Sequence, residues 1–183
     1  MKYKTTYVAG SFDILHSGHV YLLDKAKSES NKLIVGVNTD KCTSSYKGLP
    51  VNPYYERAKV IESLKSVDLV IPRESINDIE IAQKYNIQAR YITFEPIKLE
   101  GAFKENLDNL EKIGVKIIWV DKQFPLSSTL VKERVIENHI YKKIVTYREN
   151  GLSYQEMTKK WFFSREAIRQ IANKVSLKYK FEG

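Results

Sequence analysis

His16 and His19 stand three residues apart in the stretch GSFDILHSGH, residues 10–19, and they are two of only three histidines in the chain, the third being His139. Residues three apart on a helix share a face, so imidazoles at this spacing can converge on one ligand group. Gly10 and Gly18 carry no side chain, which leaves room for a ligand or a neighbouring backbone to come close. Two convergent imidazoles beside open backbone amides suit a phosphate. A competing reading makes both rings structural, with His16 capping a helix and His19 packing against Phe12.

The pair needs elements that hold it. Short apolar or β-branched runs recur at TTYVAGS (5–11), KLIVGVNT (32–39), VDLVIP (67–72), RYITF (90–94) and VKIIWV (115–120). Between them lie stretches of helical spacing, HVYLLDKAKS, YYERAKVIESLKS, INDIEIAQKYN and FKENLDNLEKIG. Strand and helix in alternation predict βαβ units, hence an α/β fold with a Rossmann-like, doubly wound parallel sheet. Ligands of such sheets bind beyond the carboxyl ends of the strands. The first strand should end near Gly10 and the first helix begin around Ser17 or Gly18. Both histidines then fall at a helix N-terminus, where unpaired amides and the helix dipole favour an anion. A G-x-G-x-x-G signature is missing, which speaks against NAD or FAD.

Composition bounds the rest. The 183 residues are enough for one buried core and a small appended module, with 43% hydrophobic and 28% charged residues. No apolar run approaches the about 18 residues of a membrane span, and the N-terminus MKYKTTYVAGSF lacks the apolar core and cleavage site of a secretion signal. One cysteine, Cys42, cannot form an internal disulfide, and no cysteine–histidine cluster is spaced for zinc. The expectation is a cytoplasmic protein without a membrane partner or a resident metal site. Residues 136–183 carry 10 Lys or Arg against 5 Glu, so +5 of the net +8 lies in the last quarter. This predicts two domains, 1–135 and a basic 136–183.

GSFDILHSGHVYLL resembles the G-x-F-D-x-x-H-x-G-H motif of the cytidylyltransferase-like nucleotidyltransferases. The resemblance continues through VNTD (37–40), YKGLPVNPYYERAKVIESLKSVDLVIP (46–72) and FPLSSTLVKERV (124–135), covering about residues 5–135 in the family's order. It implies direct in-line transfer of AMP or CMP from ATP or CTP, with Mg²⁺, to a phosphorylated sugar or polyol, and release of pyrophosphate. His16, His19 and Lys47 would be catalytic. Gly10, Ser11, Phe12, Asp13, Gly18, Lys122, Ser127, Ser128 and Thr129 would bind the nucleotide, with Lys122 where some relatives have arginine. Ser127 or Ser128 would equally serve as an ordinary N-cap, Lys47 as a solvated loop lysine, and Arg57 as half of a helix-surface ion pair. With Asp40, Arg57 would instead bind the acceptor, since a guanidinium grips a phosphate bidentately. The resemblance also implies a homodimer. One departure stands out: the family's Gly-x-Asp-type segment after the fourth strand is replaced by RYITFEPIKLEG, with Thr93 about where the acid stands and Glu95 close by. The base therefore stays open between adenine and cytosine. KGLPVNPYYER looks most like heptose-phosphate adenylyltransferases, whereas length and strand pattern resemble glycerol-3-phosphate and ethanolamine-phosphate cytidylyltransferases.

The basic tail, HIYKKIVTYRENGLSYQEMTKKWFFSREAIRQIANKV (139–175), reads as helix, glycine turn, helix, turn, helix. Ser153 with Glu156 forms a capping box, and Ser164 would cap the last helix. The pattern resembles a small all-α, helix-turn-helix-like module in which Arg165, Arg169 and Lys174 would face DNA, while Ile168, Ile171, Trp161, Phe162 and Phe163 would form its core. Such a module equally suits dimerisation or packing. The alternative overall function is a nucleotide-sensing DNA-binding regulator built on a weakened transferase fold.

Overall fold

The computed structural model describes residues 2–93, 101–121, 128–159 and 165–179. Five strands, β1 (Tyr3–Gly10), β2 (Ser30–Asn38), β3 (Leu69–Arg73), β4 (Ala89–Thr93) and β5 (Lys116–Val120), form one sheet in the order β3-β2-β1-β4-β5. Every neighbouring pair is parallel. Helices α1 (Ser17–Ser28), α2 (Asp40–Ser44), α3 (Tyr54–Glu62), α4 (Ile79–Tyr85) and α5 (Gly101–Lys112) connect them, as parallel strands require. This is the Rossmann-like fold expected from the alternating periodicities, although the short α2 does not show in the sequence pattern.

Residues of period two divide the core between the faces of the sheet. Val8, Leu33, Val35 and Val37 pack with Leu22, Leu23 and Ala26 of α1 and Ile61 of α3. Tyr7, Ile34 and Ile71 pack on the other face with Ala82 of α4 and Leu107 and Leu110 of α5. Each fully buried leucine contributes about 2 kcal/mol. Gly36 of β2 is required by Tyr7, because a Cβ there would overlap the tyrosine hydroxyl.

β1 pairs with β2 along most of its length but with β4 only at Thr6–Ala89 and Tyr7–Arg90 among the described residues. Beyond Tyr7 the two strands part. That opening, between the first and fourth strands at their carboxyl ends, is the switch point of the sheet.

The chain separates into two compact units, Met1–Ser128 and Thr129–Gly183. They divide at the first residue of α6 (Ser128–Glu149), a 22-residue helix that runs unbroken through position 135. Within the second unit, Ile144 of α6, Met157 of α7 (Tyr154–Thr158), and Ile168 and Ala172 of α8 (Arg165–Tyr179) form a small core, with Ile171 packed against it. Gly151, at φ +82°, ends α6: its amide donates to the Arg148 carbonyl (2.9 Å) and that of Leu152 to Tyr147 (2.9 Å), a Schellman closure. Ser153 caps α7 with Glu156 in the expected box. Trp161, Phe162, Phe163 and Ser164 lie outside the described residues. No helix among the described residues is long and apolar enough to cross a membrane.

Candidate active site

The loop from β1 to α1 reverses the chain over six residues, with Phe12 (φ 50°) and Ile14 (φ 60°) both in left-handed backbone. Such conformations cost of order 1 kcal/mol or more each for side-chain-bearing residues and persist where the surroundings over-determine them. Here the surroundings are explicit. Asp13 is buried, and its carboxylate accepts from the amides of Val51 (3.0 and 3.1 Å) and Asn52 (3.1 Å). Ser11 Oγ bonds Thr43 Oγ1 at 2.8 Å, and the Ser11 carbonyl accepts from Arg57 Nη1.

The loop delivers His16 as the N-cap of α1, as the first-helix boundary at Ser17 requires. The Gly18 amide donates to His16 Nδ1 (3.2 Å), and the His16 amide donates to His19 Nδ1 (3.4 Å). The histidines are thus a capping box, with imidazoles where serine and glutamate usually stand. Their rings stack with centroids 3.8 Å apart, and His19 meets Phe12 edge-on at 5.3 Å. Capping and ligand binding, opposed in the sequence reading, are compatible: an Nδ1 that accepts from the backbone is unprotonated, so Nε2 carries the proton and is each ring's donor nitrogen. Burial, helped by the unfavourable charge interaction a protonated His19 would have with His16 and Lys47, lowers the His19 pKa to about 3. His19 is therefore a neutral donor at physiological pH.

Lys47 follows α2 in an exposed turn, its amide bonded to the Thr43 carbonyl (3.0 Å). Ser128 is nearly buried, with its hydroxyl 3.5 Å from the Ile14 carbonyl to which it donates. Thr93 ends β4 and pairs with Val120. Lys122, Ser127 and Glu95 lie outside the described residues, as does the side chain of Thr129. Gly10 faces the Phe12 ring, 3.4 Å from where a Cβ would be, so its spare room is turned toward that ring rather than kept open for a ligand.

Arg57, Asp40 and Asp13 are each engaged by neighbouring protein groups. Arg57, expected to grip a phosphate, has a side chain with 0% exposure. Its guanidinium instead ties together Asp40 (Nη2 to Oδ1, 2.7 Å), the Asn52 carbonyl (Nε, 2.9 Å) and the Ser11 carbonyl. Asp40 is engaged by Arg57 and also accepts from the Tyr54 amide (3.2 Å). Asp13 likewise spends its carboxylate on the amides of Val51 and Asn52. All three position the loops around the histidines.

A cavity of about 180 Å³ is lined by Phe12 and Leu15 of the same loop with Asn52, Glu56, Arg57, Val60 and Ile61, and neither imidazole lines it.

Sequence reasoning missed a buried polar cluster at the fork of β1 and β4. Asp78, fully buried ahead of α4, takes Arg73 (2.6 and 2.9 Å), Arg90, Asn106 Nδ2 (3.0 Å) and the Tyr7 hydroxyl (3.2 Å). Burial pushes the Asp78 carboxyl up, and the charges of Arg90 and Arg73 outweigh it to hold the group ionised. A signal was present: RYITF opens an apolar, doubly covered strand with an arginine, which requires a buried partner.

In the second unit, Arg165 and Arg169 are exposed on α8, with Arg169 in a loose pair to Glu166 at 3.9 Å. Lys174 lies on the same helix.

A parallel β3-β2-β1-β4-β5 sheet whose first strand feeds an imidazole-capped helix at the switch point defines a Rossmann-like nucleotide-binding domain. The profile of the cytidylyltransferase-like family matches residues 7–134, and the chain belongs to this family of nucleotidyltransferases. It is 34% identical over 122 residues to the bifunctional protein HldE of Gluconobacter oxydans, a match covering 64% of this chain and 24% of that one. It is 33% identical over 131 residues to the FAD synthase of Thermococcus sibiricus, covering 60% of this chain and 88% of that one. The chain thus spans about a quarter of the bifunctional relative and most of the other. In fold it is similar to the lipopolysaccharide core biosynthesis protein from Thermoplasma volcanium, with a TM-score of 0.54 at 22% identity over 66% of this chain and 96% of that one.

Proposed function

We propose that the chain transfers AMP or CMP from ATP or CTP to the phosphate of a small phosphorylated acceptor, a sugar or polyol phosphate. The observation that carries this reading is the pair of stacked imidazoles whose Nδ1 atoms serve the helix cap, which makes Nε2 the donor of both rings. An oxygen of the acceptor phosphate attacks the α-phosphorus, the bond from that phosphorus to the bridging oxygen breaks, and pyrophosphate leaves. No covalent enzyme intermediate is needed, so the protein supplies position and positive potential. His16 and His19 donate through Nε2 to the oxygens on which charge develops. Lys47 reaches the phosphates from its turn as a mobile point charge. Ser128 offers a hydroxyl and an amide at the first residue of α6, and Lys122, Ser127 and Thr129 are assigned to the nucleotide by the sequence resemblance alone. Ser11, Phe12 and Gly18 line the nucleotide's approach, and Thr93 stands where the base is selected. Asp13, Asp40 and Arg57 act through the loops they hold.

Among the described residues no three His, Cys, Asp or Glu side chains converge to hold a metal. Asp13 and Asp40 are already committed, to amides and to Arg57 respectively. This donor set does not fit a resident ion, and Mg²⁺ enters on the triphosphate, as part of the substrate.

The test is pyrophosphate release with each of ATP and CTP, Mg²⁺, and a panel of sugar, polyol and flavin phosphates, the last because one relative is an FAD synthase. The reading expects release with one nucleotide and one acceptor class, abolished in His16→Ala. Silence across the panel, together with salt-sensitive binding of duplex DNA, would favour the regulator, for which the exposed Arg165 and Arg169 are the supporting observation.

A further inference from the structure

Lys47 sits in a short span held at both ends. After it, the Asp13 carboxylate fixes the amides of Val51 and Asn52. Before it, Tyr46 is half exposed, yet its hydroxyl accepts a 2.7 Å hydrogen bond from Asn38 Nδ2. Asn38 is fully buried at the end of β2, and its amide orientation follows from its other partner. Arg73 Nη1 donates to Asn38 Oδ1 at 3.1 Å. A guanidinium only donates, so the asparagine oxygen must face it, and the nitrogen must face Tyr46. Arg73 is held in turn by Asp78, which also binds Arg90 and Tyr7, the last paired residues before β1 and β4 part. One line of hydrogen bonds therefore runs from the fork of the sheet to the residue beside Lys47.

The cluster is a poor device for stability. Two arginines share one aspartate, leaving a buried net charge of +1, and Arg90 Nε has no hydrogen-bond partner. Buried ion pairs of this kind contribute little net stability over apolar packing. What they supply here is a fixed position for Asn38. We propose that Tyr46 is a positioning residue, and that its hydrogen bond to Asn38 sets where Lys47 stands relative to His19. The inference rests on the nucleotide-binding reading of Lys47 and names the part of the fold that aims it.

Tyr46→Phe removes the acceptor oxygen and keeps the half-exposed ring, at the cost of one partner for the buried Asn38 Nδ2. Two readouts apply. In limited proteolysis, initial tryptic cleavage after Lys47 should quicken about fivefold, the release expected from one hydrogen bond, while cleavage at other lysines stays as in the wild type and the thermal unfolding midpoint falls by no more than about the few degrees that one lost hydrogen bond costs. In nucleotidyl transfer, kcat/KM for the nucleotide should fall about fivefold, and the same change placed in Lys47→Ala should cause no further loss. Unchanged cleavage after Lys47 overturns the proposal whether or not transfer is observed, and so do independent, multiplying losses in the double variant. A wild-type protein that releases no pyrophosphate sinks the transfer reading alone, and the cleavage rate then decides this one.

Discussion

Polar side chains of Met1–Ser128 are spent on backbone. Asp13 takes two amides, Arg57 takes two carbonyls and Asp40, and the two histidines cap α1 and each other. In Thr129–Gly183 the polar groups do less. Ser153 and Glu156 close one short helix, and among the described residues Arg165 and Arg169 stand in solvent, with Arg169 3.9 Å from Glu166. A ligand site differs from a charged surface in this respect: its side chains are already held before a ligand comes, so little ordering entropy remains to be lost on binding. By that measure the first unit is the better candidate for a ligand site, while the described residues of the second unit form a small three-helix core with exposed arginines.

Four substitutions would break or sharpen this contrast. His16→Ala should lower pyrophosphate release about 10²- to 10³-fold, the usual effect of removing one transition-state donor, and should cost about 1 kcal/mol of stability through the lost cap. Ile168→Ala, in the core of the second unit, should cost about 2–5 kcal/mol in that unit's unfolding transition and leave transfer unchanged below it. Calorimetry beside a pyrophosphate assay separates the two. Arg57→Lys should lower the stability of the first unit by about 1–3 kcal/mol, because the three donors of an ammonium radiate from one atom and cannot span the acceptors that Nε, Nη1 and Nη2 reach separately. Were Arg57 a substrate-gripping residue, as its sequence context suggests, the same variant would melt like the wild type and only raise the acceptor KM. Arg169→Ala should change stability by no more than about 0.5 kcal/mol and leave transfer as it was.

Much of the first unit was legible because its signals are local. Alternating periodicities marked the five strands, and Gly10 and Ser17 marked the turn that carries the histidines. Side-chain direction was not legible. Whether Arg57 faces a phosphate or the Ser11 carbonyl depends on a loop 46 residues away in sequence, which helical spacing in YYERAKVIESLKS does not report. Asp78 and Arg90 escaped for a related reason, since a buried charge and its partner sit in different elements and each looks ordinary alone. In the second unit α6 was hard to bound because no glycine or proline interrupts it before Gly151.

Acid links the site to stability. Unfolded, His19 takes up a proton near pH 6.5, and folded, it does so only near 3. Stability from its neutral, packed form is fully present above 6.5 and is lost as pH falls from there toward 3. The measurement that tests the central claim most directly is ¹⁵N NMR of the three histidines, followed against pH and against added ATP or CTP with Mg²⁺. The account predicts bare Nδ1 and protonated Nε2 on His16 and His19 at pH 7, no protonation of His19 as pH passes through 6.5, and nucleotide-induced shifts of both Nε2 signals while His139 stays put. A His19 that titrates near 6.5, or Nε2 signals that ignore both nucleotides, would contradict it.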